Sequence, residues 1–182
     1  ATFVLFYLMT VFALSWGTGA LGYGREQFLL LQMLGVLCFA ATIPLSALYG
    51  DRMGTARAMT VASVLILGFG VLFAPMFQAG SPWMVVAFLS LGLFLMGLTY
   101  GPCGTFLAQI YPVQVRYTGA SLSFNLAGIL GAAPAPYVAT WLAERFGLVA
   151  VGFYLCLTAV VTIAALLAIR GHQAWDVNGK AA

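Results

Sequence analysis

The sequence reads as an all-α membrane protein of six transmembrane helices, and three observations point there. Of the 182 residues, 63% are hydrophobic and only 6% are charged, with a mean hydropathy of +1.05. A water-soluble domain carries about a quarter charged residues to keep its surface wetted, so the solvent for this chain is lipid. The charges are also clustered: Arg25/Glu26, Asp51/Arg52/Arg57, Arg116, Glu144/Arg145, then Arg170, Asp176 and Lys180 punctuate uncharged stretches. Finally, those stretches are continuously apolar and rich in Leu, Ala, Val and Phe, whereas a barrel would need short alternating segments.

Taken in order, the uncharged stretches 1–24 and 27–50 each hold one span. The long stretch 58–115 holds two, divided where Gln78-Ala79-Gly80-Ser81-Pro82 forms a turn before Trp83, an aromatic suited to the headgroup region. The stretches 117–143 and 146–169 hold the fifth and sixth. The expected spans are therefore 1–21, 28–49, 58–77, 83–110, 120–143 and 147–169, forming one transmembrane domain over 1–170 followed by a tail at 171–182. A secretory signal would open with a basic segment, but Ala1-Thr2-Phe3 opens inside an apolar run without an initiator Met. The expectation is a fragment of a longer chain.

Alternate loops share a side. The 50–57 turn, the 111–119 turn and the tail together carry five Lys or Arg, against two on the other side. The positive-inside rule makes the first set cytoplasmic. The net charge of +3 is scattered over separate turns and calls for no nucleic-acid partner. Cys38, Cys103 and Cys156 lie mid-span without metal-ligand spacing and read as small apolar fillers. The single histidine, His172, belongs to the tail, and no span contains His, Lys or Asp. No enzyme, metal site or cofactor is expected on that basis.

Two stretches carry more information. In Gly50-Asp51-Arg52-Met53-Gly54-Thr55-Ala56-Arg57, the glycines permit a tight reversal, and Asp51 offers a carboxylate to a helix N-terminus or an arginine. In the fourth span, Pro102 removes a backbone donor among Gly97, Gly101 and Gly104, which predicts a kink or local unwinding. Gly97 and Gly101 also form a G-x-x-x-G pair, for which close helix packing is the favoured reading. After Tyr111-Pro112, the turn runs through Arg116-Tyr117-Thr118-Gly119-Ala120-Ser121, with Thr118 as the expected N-cap of the fifth helix.

Together, the D-R-x-G turn between spans two and three, the Y-G-P of span four and the R-Y-T-G-A-S stretch opening span five resemble the C-terminal half of a major facilitator superfamily transporter. Within that superfamily the chain is most similar to the metabolite:proton symporters. The resemblance covers essentially the whole chain and implies a twelve-helix fold in which these six spans form one half, built from two inverted three-helix repeats. It departs from the family pattern at Ala47, Thr55 and Ala56 in the first turn, where Arg57 substitutes incompletely for paired arginines. It departs again at Gln109, where relatives carry a glutamate.

The resemblance implies secondary active transport of a small organic acid or zwitterion by alternating access, with protons as the coupling partner. The companion N-terminal half and membrane lipid are further partners, and the location is a bacterial inner membrane. Asp51, Arg52, Gly54, Arg57, Arg116, Tyr117 and Gly119 become a cytoplasmic gate, with Asp51 expected beside the start of span five and near Arg116. Mid-span polar residues become candidate substrate contacts: Tyr7, Gln32, Tyr100, Ser121 and Asn125. For Gln32 and Asn125, interhelical hydrogen bonds are an equal alternative. Pro102, Pro134 and Pro136 become kink sites, the last two either a hinge or a static bend. No acidic residue lies deep in a span, so the resemblance places the proton-coupling group in the companion half. Competing readings are a sugar or drug porter of the same superfamily, and a non-transporting membrane interaction or sensor module.

Overall fold

A computed structural model describes residues 1–79 and 81–179, with side chains as far as residue 169. The tail residues Arg170, His172 and Lys180 therefore fall outside the described side chains. Among the described residues there are seven helices: α1 (Thr2–Gly19), α2 (Arg25–Met53), α3 (Thr55–Phe77), α4 (Pro82–Ile110), α5 (Arg116–Ala132), α6 (Ala135–Phe146) and α7 (Leu148–Gly179). They make six segments long and apolar enough to cross a membrane, because α5 and α6 form a single span broken at Ala133–Pro134.

The connections are tighter than charge clustering suggests. Only Gly54 separates α2 from α3 and only Gly147 separates α6 from α7, at φ of 89° and 80°. Those angles favour glycine, so a one-residue reversal is possible only where it stands. Asp51 and Arg52 consequently lie in the last turn of α2, and Arg57 in the first turn of α3, not in a loop. Likewise α5 begins at Arg116, which places Tyr117 and Gly119 within its first turn. Val115 precedes that helix with no side-chain cap, and Thr118 is not an N-cap. Gly50 is not a turn residue either; it is buried inside α2, where an added Cβ would stand 3.2 Å from Pro102 Cβ. Pro102 does not unwind its span, since α4 continues as one helix through it.

In hydrocarbon, helices associate through close packing, because lipid is as apolar as leucine. Glycine provides that closeness here. A Cβ on Gly97 would meet Thr42 Cβ at 2.8 Å and Phe39 O at 3.1 Å, and one on Gly101 would meet Ile43 O at 2.7 Å, so α2 and α4 touch backbone to backbone. Gly70 and Gly152 do the same for α3 and α7. The core between α1, α3 and α4 is aromatic: Phe77 stacks on Phe88 at 4.6 Å and Phe73 meets Phe88 edge-on at 4.9 Å.

The span contacts show a symmetry. Span two packs on span four, span five on span one, and span three on span six. Exchanging spans one to three with spans four to six maps these three pairings onto one another, whereas the packing of span three on span four has no equal between spans six and one. Because each repeat has an odd number of spans, the second enters the membrane from the opposite side to the first, which makes the repeats inverted.

Candidate functional site

A cavity of about 390 Å³ opens on the face shared by spans one, two, four and five. Phe3, Phe6 and Tyr7 of α1, Phe39 of α2, Met96 and Tyr100 of α4, and Phe124, Gly128 and Ala132 of α5 line it. The rings brace one another edge-on: Phe3 with Phe124 at 5.1 Å, Phe6 with Tyr7 at 5.4 Å and Phe39 with Tyr100 at 5.8 Å. Gly128 leaves the α5 wall open, since a Cβ there would meet nothing within 4 Å. Met96 is the middle residue of α4 and Phe39 the middle residue of α2, so the cavity lies halfway along these two spans.

Among the described residues its lining has no charged side chain. The polar side chains are the two phenols, and among the described residues neither hydroxyl has a protein partner. Each can donate to a carboxylate or carbonyl oxygen, while the ring faces take up the apolar body of a small solute.

The structure brings Tyr7 and Tyr100 together and leaves the other candidates elsewhere. Gln32 is buried, and its Nε2 donates to Met9 O at 2.7 Å and Thr10 O at 2.8 Å, so its amide is engaged between helices. Asn125 is exposed and donates through Nδ2 to Ser121 O of its own helix at 2.8 Å. Ser121 lines a separate groove with Arg116 and Tyr117. Phe3, Phe6, Phe39 and Phe124 went unmarked in the sequence because an apolar ring in an apolar span carries no signal. The spacing of Phe3, Phe6 and Tyr7, which share one helical face, is the one signal that could have found the first two.

At one end of the bundle, Thr55 Oγ1 at the start of α3 donates to Gln109 Oε1 near the end of α4 at 2.9 Å. This bond puts the 50–57 and 109–119 segments on the same side. A cleft of about 440 Å³ beside it is lined by Gly50, Asp51, Thr55, Arg57 and Gln109, among others. Arg116 is not in that cleft; its Nε donates to Tyr111 O at 3.4 Å. The expected contact between Asp51 and Arg116 is therefore not formed among the described residues. The start of α5 is instead held by Tyr111, whose hydroxyl pairs with Ser123 and whose ring covers Gly119 so closely that a Cβ there would lie 2.6 Å from it.

Over 172 residues the chain is 45% identical to the inner membrane metabolite transport protein YhjE of Escherichia coli (strain K12), an overlap of 92% of this chain and 39% of that protein. It is 28% identical to the shikimate transporter of the same organism, over 77% of this chain and 32% of the relative. It is 26% identical to the citrate-proton symporter of Klebsiella pneumoniae, over 80% and 33%. The chain thus spans at most about two fifths of the length of these curated relatives. No family model matches the chain, and no solved structure matches it.

Proposed function

Because the chain belongs to the major facilitator superfamily, as a six-helix half of the metabolite:proton symporter type, we propose that it forms one lobe of a secondary active transporter. The transporter carries a small organic acid or zwitterion by alternating access, with proton coupling. The observation that carries this reading is the cavity halfway along spans one, two, four and five, lined by Tyr7 and Tyr100, whose hydroxyls have no protein partner among the described residues. A lobe that only anchored or sensed would have no reason to keep two phenols in a concavity at the depth where desolvation costs most.

In this reading the cavity is half of a substrate site that a second lobe completes. The phenols orient a carboxylate, and the aromatic walls exclude water from it. Neutralising a carboxylate and carrying the proton fall to groups outside this lobe, whose cavity lining is uncharged. The end bearing Asp51, Arg57 and Gln109 is assigned to the cytoplasm of an inner-membrane protein, on the strength of its excess of Lys and Arg. There it closes against the second lobe in one half of the cycle. The Thr55–Gln109 bond keeps that end rigid as it moves.

Uptake of radiolabelled organic acids by the full-length protein, with and without a proton uncoupler, tests the proposal. Saturable uptake that collapses with the uncoupler supports it. Uptake of no organic acid or zwitterion, or uptake indifferent to the uncoupler, rejects proton-coupled metabolite transport in favour of another porter branch or a non-transporting module.

A further inference from the structure

The middle of α1 is not α-helical. Leu8–Phe12 winds as a π-helical turn between α-helical Thr2–Tyr7 and Ala13–Gly19. The buried residues of this segment come in pairs, Val4 and Leu5, Leu8 and Met9, Phe12 and Ala13, repeating every four residues. An α-helix advances about 100° per residue, so four residues overshoot a turn by roughly 40°, and the third pair would drift about 80° from the first. A wider turn in the middle removes that drift and holds all three pairs against the core.

Widening the helix takes carbonyls out of their regular ladder, and hydrocarbon offers no water to satisfy them. Side chains do so instead. Thr10 Oγ1 donates to Phe6 O at 2.7 Å, and Gln32 Nε2 donates to both Met9 O and Thr10 O. The Gln32 carboxamide thus uses both of its hydrogens on the turn. It reaches them from α2, 7% exposed, inside the helix interface.

We propose that Gln32 is a positioning residue for the cavity: it holds the π turn open, and the turn sets the rotation at which Tyr7 faces the cavity while Val4 and Leu5 face the core. The proposal rests on the reading of the cavity as a substrate site only for its functional consequence. The geometry is independent of it. Without the two donors, the turn relaxes towards α geometry and the segment before it rotates by up to about 80° relative to the segment after it, carrying Tyr7 away from Tyr100.

The test is thiol accessibility in the full-length protein, with Cys38, Cys103 and Cys156 replaced and a single reporter introduced as Tyr7→Cys or Tyr100→Cys. A small hydrophilic methanethiosulfonate is the probe. Gln32→Met, which keeps the length of the side chain and removes its donors, is expected to slow labelling at position 7 at least tenfold and leave position 100 within twofold. Gln32→Glu, which offers one donor only when protonated, is expected to fall between, and it carries the test if Gln32→Met does not accumulate. Labelling at position 7 within twofold of the parent overturns the proposal, as does an equal fall at both positions, which would mean collapse of the whole cavity. A shift confined to position 7, with uptake indifferent to every change at Tyr7, keeps the clamp and removes the substrate-site reading. Unchanged labelling with uptake that does depend on Tyr7 does the reverse.

Discussion

Replacing Gly101 by alanine adds one methyl group at the place where α2 and α4 come closest. The new Cβ would lie 2.7 Å from Ile43 O and 3.1 Å from Ala47 N, both backbone atoms, and against Ser46 Oγ. A rotamer change moves the serine but not the backbone. To bring the Ile43 contact from 2.7 Å to an ordinary 3.4 Å, the helices must part locally by about 0.7 Å. That separation also stretches the buried bond from Ser46 Oγ to Gly97 O, now 2.9 Å. Overpacking of this kind costs about 1–3 kcal/mol and the lost bond about 1 kcal/mol, against a gain of about 0.5–1 kcal/mol from replacing glycine within a helix. The net loss is about 2 kcal/mol, or roughly 30-fold in the folding equilibrium. Gly104→Ala, three residues on, meets nothing within 4 Å and keeps only the gain. The two variants of the full-length protein should therefore shift the thermal unfolding midpoint in detergent in opposite directions, Gly101→Ala downwards. A Gly101→Ala protein that unfolds at or above the parent temperature would refute the backbone-contact argument.

Other outcomes follow from single contacts. Gln109→Leu removes the acceptor for Thr55 Oγ1 and should cost about 1 kcal/mol, while Gln109→Glu keeps an acceptor and should unfold close to the parent in the same melting assay. Gly54→Ala forces a side chain to φ of 89° in a one-residue turn, with an expected cost of about 1–3 kcal/mol, read as lowered midpoint and membrane level. Asp51→Asn, at an exposed carboxylate, should change stability by less than about 0.5 kcal/mol and yet slow uptake if that end closes against a second lobe; parent-rate uptake across external pH would exclude a latch at Asp51. Tyr7→Phe and Tyr100→Phe each remove one hydroxyl from the cavity and should raise the KM for a carboxylate substrate about tenfold, with membrane levels unchanged.

The six spans were legible because charge is excluded from hydrocarbon, so Arg25, Asp51, Arg116 and Glu144 mark their edges. The Gly97/Gly101 pair was legible for a similar reason: glycine repeated at four-residue spacing in a lipid-solvated helix has few uses other than close approach. What the sequence could not show is which partner a polar group finds. Gln32 reads equally as a ligand contact or an interhelical hydrogen bond until the π turn of α1 is seen beside it, and nothing in Leu8-Met9-Thr10-Val11-Phe12 announces that turn except buried pairs four residues apart, a pattern visible only once burial is known. Asp51 reads as part of a loop because charges usually are. A single glycine of positive φ at position 54 makes the loop one residue long and leaves the carboxylate on the last turn of α2. The cavity was half legible, its phenols marked by their hydroxyls and its phenylalanines indistinguishable from the other rings that fill the core.

The function proposed for this chain requires a transported solute to bind in the cavity. The direct measurement is substrate protection at Tyr100→Cys in the full-length protein reconstituted into vesicles: the rate of thiol modification with and without a saturating concentration of the organic acid that the protein takes up. The acid is expected to slow modification several-fold, and completed modification to abolish uptake. A modification rate unchanged by the acid, together with full uptake after modification, would place the solute elsewhere and contradict binding in this cavity.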